Sequence, residues 1–104
     1  MRYEIKLKNE TDIINLRESG RRLARALKET AKEVRPGVTT KYLNDVFHKI
    51  VVDGGDEPAF LNYKPWGAEY PYPGSVCISV NDEVVHGIGG DRVLKEGDIV
   101  GLDG

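Results

Sequence analysis

The chain has 104 residues, a net charge of -2, 39% hydrophobic and 31% charged residues. That length describes one domain, able to bury a core of modest stability. The near-balanced charge gives no electrostatic case for nucleic acid or anionic lipid as a partner, and the single cysteine, Cys77, excludes an internal disulfide and a cysteine-built zinc site.

One cysteine fits a reducing cytoplasm. Residues 1–6 lack the apolar core of a signal peptide, and no apolar run is long enough to span a bilayer. The sequence therefore reads as cytoplasmic, with no membrane partner.

Residues 3–7 alternate apolar and polar side chains, as a short strand or an extended arm does. Asn9 is a good helix N-cap, and Asp12 three positions on favours a helix start. Ile13, Leu16, Gly20, Leu23, Ala24, Leu27, Ala31 and Val34 come next at gaps of three and four, which predicts one amphipathic helix over residues 10–35. Arg35-Pro36-Gly37 ends it. Thr39 or Thr40 caps a second helix over residues 40–53. Its stripe is Leu43, Val46, Phe47, Ile50 and Val51, and Asp53-Gly54-Gly55 closes it.

A short strand is expected over residues 57–62. Residues 62–74 then hold three prolines and two glycines, which forbid a regular element. The same stretch holds Tyr63, Tyr70 and Tyr72 and the only tryptophan, Trp66. Aromatic area concentrated on irregular backbone suits a pocket rim or a partner surface; it equally suits a loop folded down over a sheet edge. Two strands are expected next, over residues 76–81 and 83–87, joined by a turn at Asn81-Asp82. Lys95-Glu96-Gly97-Asp98 makes a turn, and a last strand covers residues 99–103. Helices followed by strands give an α+β fold, with two amphipathic helices on one face of a largely antiparallel sheet.

Few residues here carry chemistry on their own. His86 stands at the end of an apolar strand, beside Gly87. An imidazole there can contact a substrate or ligate a metal, and the glycine lets a ligand or another backbone come close. Spacing alone favours the plainer role, a buried histidine hydrogen-bonded inside the sheet. Asp103 ends the apolar run Ile99-Val100-Gly101-Leu102. A carboxylate at a strand end is held rigidly enough to bind a metal, and it equally well simply faces water. Cys77, between Val76 and Ile78, reads as buried and inert. His48 reads as a surface or helix-packing residue, and Asp98 as turn chemistry. Arg21, Arg22, Arg25, Lys28 and Lys32 form a basic helix side that Glu18, Glu29 and Glu33 interrupt, so it reads as a solvated face.

Several of these stretches together resemble one family. Asp12-Ile13 through Arg17 and Gly20, then Val34-Arg35-Pro36-Gly37-Val38-Thr39-Thr40 and Leu43, are similar to the opening helices of type I methionine aminopeptidases. Ser75-Val76-Cys77-Ile78-Ser79-Val80-Asn81 followed by Val84-Val85-His86-Gly87-Ile88 resembles that family's most specific N-terminal signature. Leu94-Lys95-Glu96-Gly97-Asp98-Ile99-Val100 followed by Leu102-Asp103 resembles the strand that bears its first metal aspartate. The resemblance runs over nearly the whole chain, in the right order, and to the N-terminal half of the family's pita-bread fold, in which two αβ halves are related by an approximate two-fold axis.

The resemblance implies a function and a site. The family removes initiator methionine from proteins by hydrolysis, using two divalent cations (manganese, cobalt, iron or zinc) held by two aspartates, one histidine and two glutamates. His86 matches the family histidine that contacts substrate near the scissile amide. Asp103 matches the first aspartate ligand. Tyr63, Tyr72 and Cys77 resemble residues lining the methionine side-chain pocket. Phe60 takes a place where bacterial relatives often have a smaller residue, and residues 64–71 look inserted relative to the shortest relatives. The other four ligands and a second histidine are expected beyond Gly104. One carboxylate does not hold two hard cations, so this chain alone is expected to bind metal weakly or not at all and to lack efficient activity. Its expected partners are a complementary C-terminal half, or a second copy in a homodimer that takes the place of that half, and peptide N-termini if it is active. A non-catalytic half-fold that homodimerises is the alternative reading. A catalytically dead relative of the creatinase and prolidase superfamily is a third, which the Ser75–Ile88 signature disfavours.

Overall fold

A computed structural model describes residues 4–104. Its element order is α1 (Glu10–Ala31), α2 (Thr40–Asp53), β1 (Cys77–Val80) and β2 (Val100–Asp103). The strands form a two-stranded antiparallel sheet, with Cys77 opposite Asp103, Ile78 opposite Leu102 and Val80 opposite Val100. Helix α1 packs against α2 and β2, and α2 against β1. This α+β arrangement is the one expected from the order of the elements.

The start of α1 is a capping box. The Asp12 backbone N–H donates to Asn9 Oδ1 at 2.8 Å, and the Asn9 N–H donates to Asp12 Oδ2 at 3.0 Å. Two of the helix's orphan donors are satisfied in this way. The helix ends at Ala31, four residues before the expected position. Glu33 and Val34 bond back to the carbonyls of Thr30 and Ala31, the tighter i to i-3 pattern of a closing turn. Pro36 disfavours helical backbone at Arg35, so the helix unwinds ahead of it. Thr39 is the cap of α2, its hydroxyl accepting from the Tyr42 N–H at 3.1 Å.

The core is Ala26, Leu43, Phe47, Val76, Ile78, Val80 and Leu94, with Leu23, Leu27, Val100 and Leu102 packed on its margin. Alternation along the strands decides this. Ile78, Val80, Val100 and Leu102 turn inward, while Asp103 shares the opposite face with Cys77. The stripe on α1 is only partly used: Leu23 and Leu27 pack on the core, but Ile14 and Leu16 are exposed. Arg22 fastens the helix to the exit of α2 by bonding Glu18, the Asp56 carboxylate and the Gly54 carbonyl. Hydrogen bonds from Arg21 first, and then Arg22, hold the half-exposed Glu18 carboxyl at about 2, below the usual carboxylate range.

Two expected strands are absent among the described residues, and both absences shape the site. Residues 57–62 form a bend and a turn instead. Pro58 offers no donor to a ladder. The Tyr63 N–H closes back onto the Phe60 carbonyl at 3.0 Å, and Asn62 takes a φ of 64°. Residues 83–87 form an arch, not a strand, because His86 sits in the left-handed region at φ 59°, where extended pairing cannot continue. The partner of β1 is β2. Of the alternating stretch 3–7, Tyr3 lies outside the described residues, and residues 4–7 form no regular element.

Candidate functional site

The arch over residues 83–87 is pinned to β1 at one glycine. The Ile78 N–H donates to the Gly87 carbonyl at 2.9 Å, and the Gly87 N–H donates to Ser79 Oγ at 3.1 Å. A β-carbon at position 87 would run into the Ile78 carbonyl, so the glycine permits a close approach of two backbones. Pinning Gly87 forces the turn at His86, which leaves that side chain exposed beside a cleft rather than buried in the sheet. The expectation of a packed histidine is corrected here. Left-handed backbone at a non-glycine residue costs about 1 kcal/mol, and such strain persists where its surroundings over-determine it. No hydrogen bond to the His86 ring occurs among the described residues.

The cleft has a volume of about 490 Å³, within the range typical of small-ligand sites. Phe60, Tyr63, Tyr72, Cys77 and His86 all line it. The fold thus brings together five side chains that lie up to 26 positions apart in the chain. Phe60 and Tyr72 meet edge to face, with ring centres 6.3 Å apart. The Tyr72 hydroxyl lies 2.8 Å from the Gly87 carbonyl and 3.2 Å from that of Val76. Its one proton is best placed on the nearer acceptor, which ties the cleft floor to the His86 arch. Burial, then the neighbouring Cys77 thiol and the Asp103 carboxylate, push the Tyr72 phenol well above its ordinary value. It is therefore held as a neutral donor. Cys77 is buried, as expected.

Asp103 is not among the cleft-lining residues. It stands opposite Cys77 on the same sheet face, exposed. β2 is held in register by the Asn81–Asp98 pair. The Asn81 amide donates to Asp98 Oδ1 at 3.0 Å, and Asn81 Oδ1 accepts from the Ile99 N–H at 2.9 Å. The bond from Asn81 first, with one from the Lys95 backbone, lowers the Asp98 carboxyl below its ordinary value, so its turn chemistry reaches across to β1.

Several positions support or line the cleft in ways the sequence did not signal: Asn44 had no reading of its own, and His48 read as a surface or helix-packing residue. Asn44 on α2 accepts at Oδ1 from the backbone N–H groups of Ser75 and Val76, at 2.8 and 3.3 Å. His48, one turn on, meets the buried Ser75 hydroxyl at 2.7 Å. Together they fix the entry to β1. Both lie beside core positions Leu43 and Phe47, and a polar residue next to an apolar stripe gives no sign of what it binds. Pro65, Ala68, Glu69, Tyr70 and Ile88 complete the lining; the signal for the first four was the aromatic density of residues 62–74, and Ile88 closed the Ser75–Ile88 signature.

As a metal site the described residues fall short in donors. No group of three His, Cys, Asp or Glu side chains able to hold an ion occurs among them. A hard divalent cation takes six or more oxygens, and Asp103 supplies one carboxylate. The residues described do not make a complete site by themselves.

Comparison with known proteins agrees with the geometry. Residues 14–104 match metallopeptidase family M24. The chain is 41% identical over 100 residues to methionine aminopeptidase of Aquifex aeolicus, covering 95% of this chain and 39% of that one. It is 41% identical over 88 residues to methionine aminopeptidase 1 of Bacillus subtilis, covering 85% and 33%. Among solved structures, methionine aminopeptidase of Rickettsia prowazekii superposes with a TM-score of 0.87 at 40% identity, over 95% of this chain and 38% of that one. The enzyme of Thermotoga maritima gives 0.82 at 35% identity, over 95% and 38%. The fold is thus a partial pita-bread fold, and the chain spans about two fifths of the length of the relatives it matches. With a family match that runs from the first helix through β2, this chain belongs to metallopeptidase family M24.

Proposed function

We propose that this chain forms the side-chain cleft of a methionine aminopeptidase, together with one carboxylate of its metal site. The observation that carries the reading is the convergence of Phe60, Tyr63, Tyr72, Cys77 and His86 on one cleft, with Asp103 opposite Cys77. Aromatic and sulfur-bearing walls suit a flexible thioether side chain. In this reading Tyr63, Tyr72, Cys77 and Phe60 hold the methionine side chain. The exposed imidazole of His86 hydrogen-bonds the substrate near the scissile amide, and Asp103 contributes to a cation site whose other donors lie outside the described residues. Divalent cations would be manganese, cobalt, iron or zinc.

We further propose that the 104-residue chain alone is not catalytically competent. The test is release of methionine from a Met-Ala peptide with added manganese or cobalt. The expected result is no turnover by this chain. Turnover by the purified chain would refute that incompetence.

A second reading, a half-fold that homodimerises, is favoured by one feature. Val84, Val85, Ile88 and Ile99 are exposed, and β2 has β1 as its one strand neighbour among the described residues. Apolar surface beside an open strand edge favours a covering partner, either a complementary half or a second copy. Sedimentation at micromolar concentration separates them: a monomer counts against the homodimer. No helix among the described residues is long and apolar enough to cross a membrane; a cytoplasmic location completes the proposal.

A further inference from the structure

The loop over residues 64–71 contributes to the cleft in its own right. Its base is closed by two backbone bonds, from the Asn62 N–H to the Tyr72 carbonyl at 2.9 Å and from the Tyr72 N–H to the Tyr63 carbonyl at 2.8 Å. Its tip is a β-turn in which the Ala68 N–H bonds the Pro65 carbonyl at 3.1 Å and Gly67 takes a φ of 85°, the positive φ that a type II turn requires at its third residue. The turn leaves Trp66 fully exposed and returns Ala68, Glu69 and Tyr70 to the cleft wall. Glu69 is therefore presented by a loop tied at both base and tip.

Glu69 is the one acidic side chain in the lining, and no lysine or arginine lines the cleft. Glu69 enters no ion pair or hydrogen bond among the described residues, Lys64 of the same loop included. The remaining walls are largely aromatic or aliphatic. A carboxylate on such a rim, with Asp103 on the adjoining sheet face, gives the cleft a negative field. Glu69 is exposed, so the effect is that of a solvated surface charge.

We propose that Glu69 makes this cleft selective for peptides that carry a basic side chain close to an apolar N-terminal one. The inference rests on the reading of the cleft as a peptide side-chain site and adds a preference at the next positions of the peptide. Phe60 and the tyrosines also favour a cation through their ring faces, so the share that belongs to Glu69 is the part lost when its charge alone is removed. Glu69 acts in binding, so its removal leaves the fold and the apolar part of the cleft as they are.

The experiment is a titration of the 104-residue chain with Met-Ala-Lys amide and Met-Ala-Glu amide, monitored through the NMR signals of the cleft tyrosines and His86. The lysine peptide is expected to bind about two- to fivefold more tightly, the size of an exposed ion pair. The difference is expected to shrink in high salt, to fall in Glu69→Gln and to fall further in Glu69→Lys. Equal binding of both peptides, or a preference undiminished in Glu69→Gln, overturns the role of Glu69 and leaves the peptide-binding reading standing. If neither peptide moves the cleft signals, the peptide-binding reading itself falls, and this inference with it.

Discussion

Cys77 and Asp103 face each other across the β1–β2 pair. Cys77 floors the aromatic cleft, and Asp103 carries the exposed carboxylate beside it. A one-residue slip of β2 would send Asp103 to the core face and bring Leu102 out. The Asn81–Asp98 and Asn81–Ile99 bonds set that register from one end.

The Gly87 contact sets the arch, and Gly87→Ala tests it. The added methyl would collide with the Ile78 carbonyl, and backbone has no rotamer by which to yield. A loss of about 2–4 kcal/mol in urea unfolding is expected. Loss of the Tyr72–Gly87 bond should accompany it, read as a shift of the Tyr72 ring signals.

His86 offers a contrast between stability and function. His86→Gly removes the left-handed penalty but adds unfolded-chain entropy, so stability should stay level or rise by up to about 1 kcal/mol. His86→Val, branched at the β-carbon and poorly tolerated at positive φ, should be the less stable of the two. If His86 positions substrate, both variants should weaken peptide effects at the cleft. Chemical denaturation together with peptide titration checks this.

Legibility in the sequence divides along these same residues. Asn9 with Asp12, Thr39, and Pro36-Gly37 announced the helices, because caps and breakers act through local chemistry. The apolar stretch from Val76 to Val80 announced β1. The 83–87 stretch misled, because Val84 and Val85 look like strand residues while the deciding fact, the approach of Gly87 to Ile78, is a tertiary contact. Residues 57–62 misled for a similar reason: a short apolar run does not say whether a partner strand exists. The α1 stripe told which face is apolar but not that Ile14 and Leu16 stay uncovered. His86, Asp103 and Cys77 stood out by their places on the strands, Tyr63, Tyr72 and Phe60 only through family resemblance, and the convergence of all but Asp103 on one cleft needed the three-dimensional fold.

Tyr72 gives the chain an alkaline weakness. Its folded phenol lies above the ordinary value of 10.0, chiefly through burial, so the folded state keeps a proton that the unfolded state gives up. The stability this contributes is fully present below pH 10 and is lost as pH rises from there toward the folded value. The melting temperature should fall above pH 10 more steeply in the parent than in Tyr72→Phe. Equal slopes would show that Tyr72 is not held in this way.

Asn44 anchors the entry to β1 by serving two N–H groups. Asn44→Ala leaves both without that acceptor and should cost about 1–3 kcal/mol. Amide hydrogen exchange at Ser75 and Val76 should accelerate, while exchange near the middle of α1 changes less.

The proposal that this chain supplies a single carboxylate of a two-cation site meets its sharpest test in calorimetric titration of the 104-residue chain with manganese. Weak uptake is expected, reduced further in Asp103→Asn. Tight binding of two manganese ions per monomer would show that the cation site is complete in this chain, against everything proposed for it here.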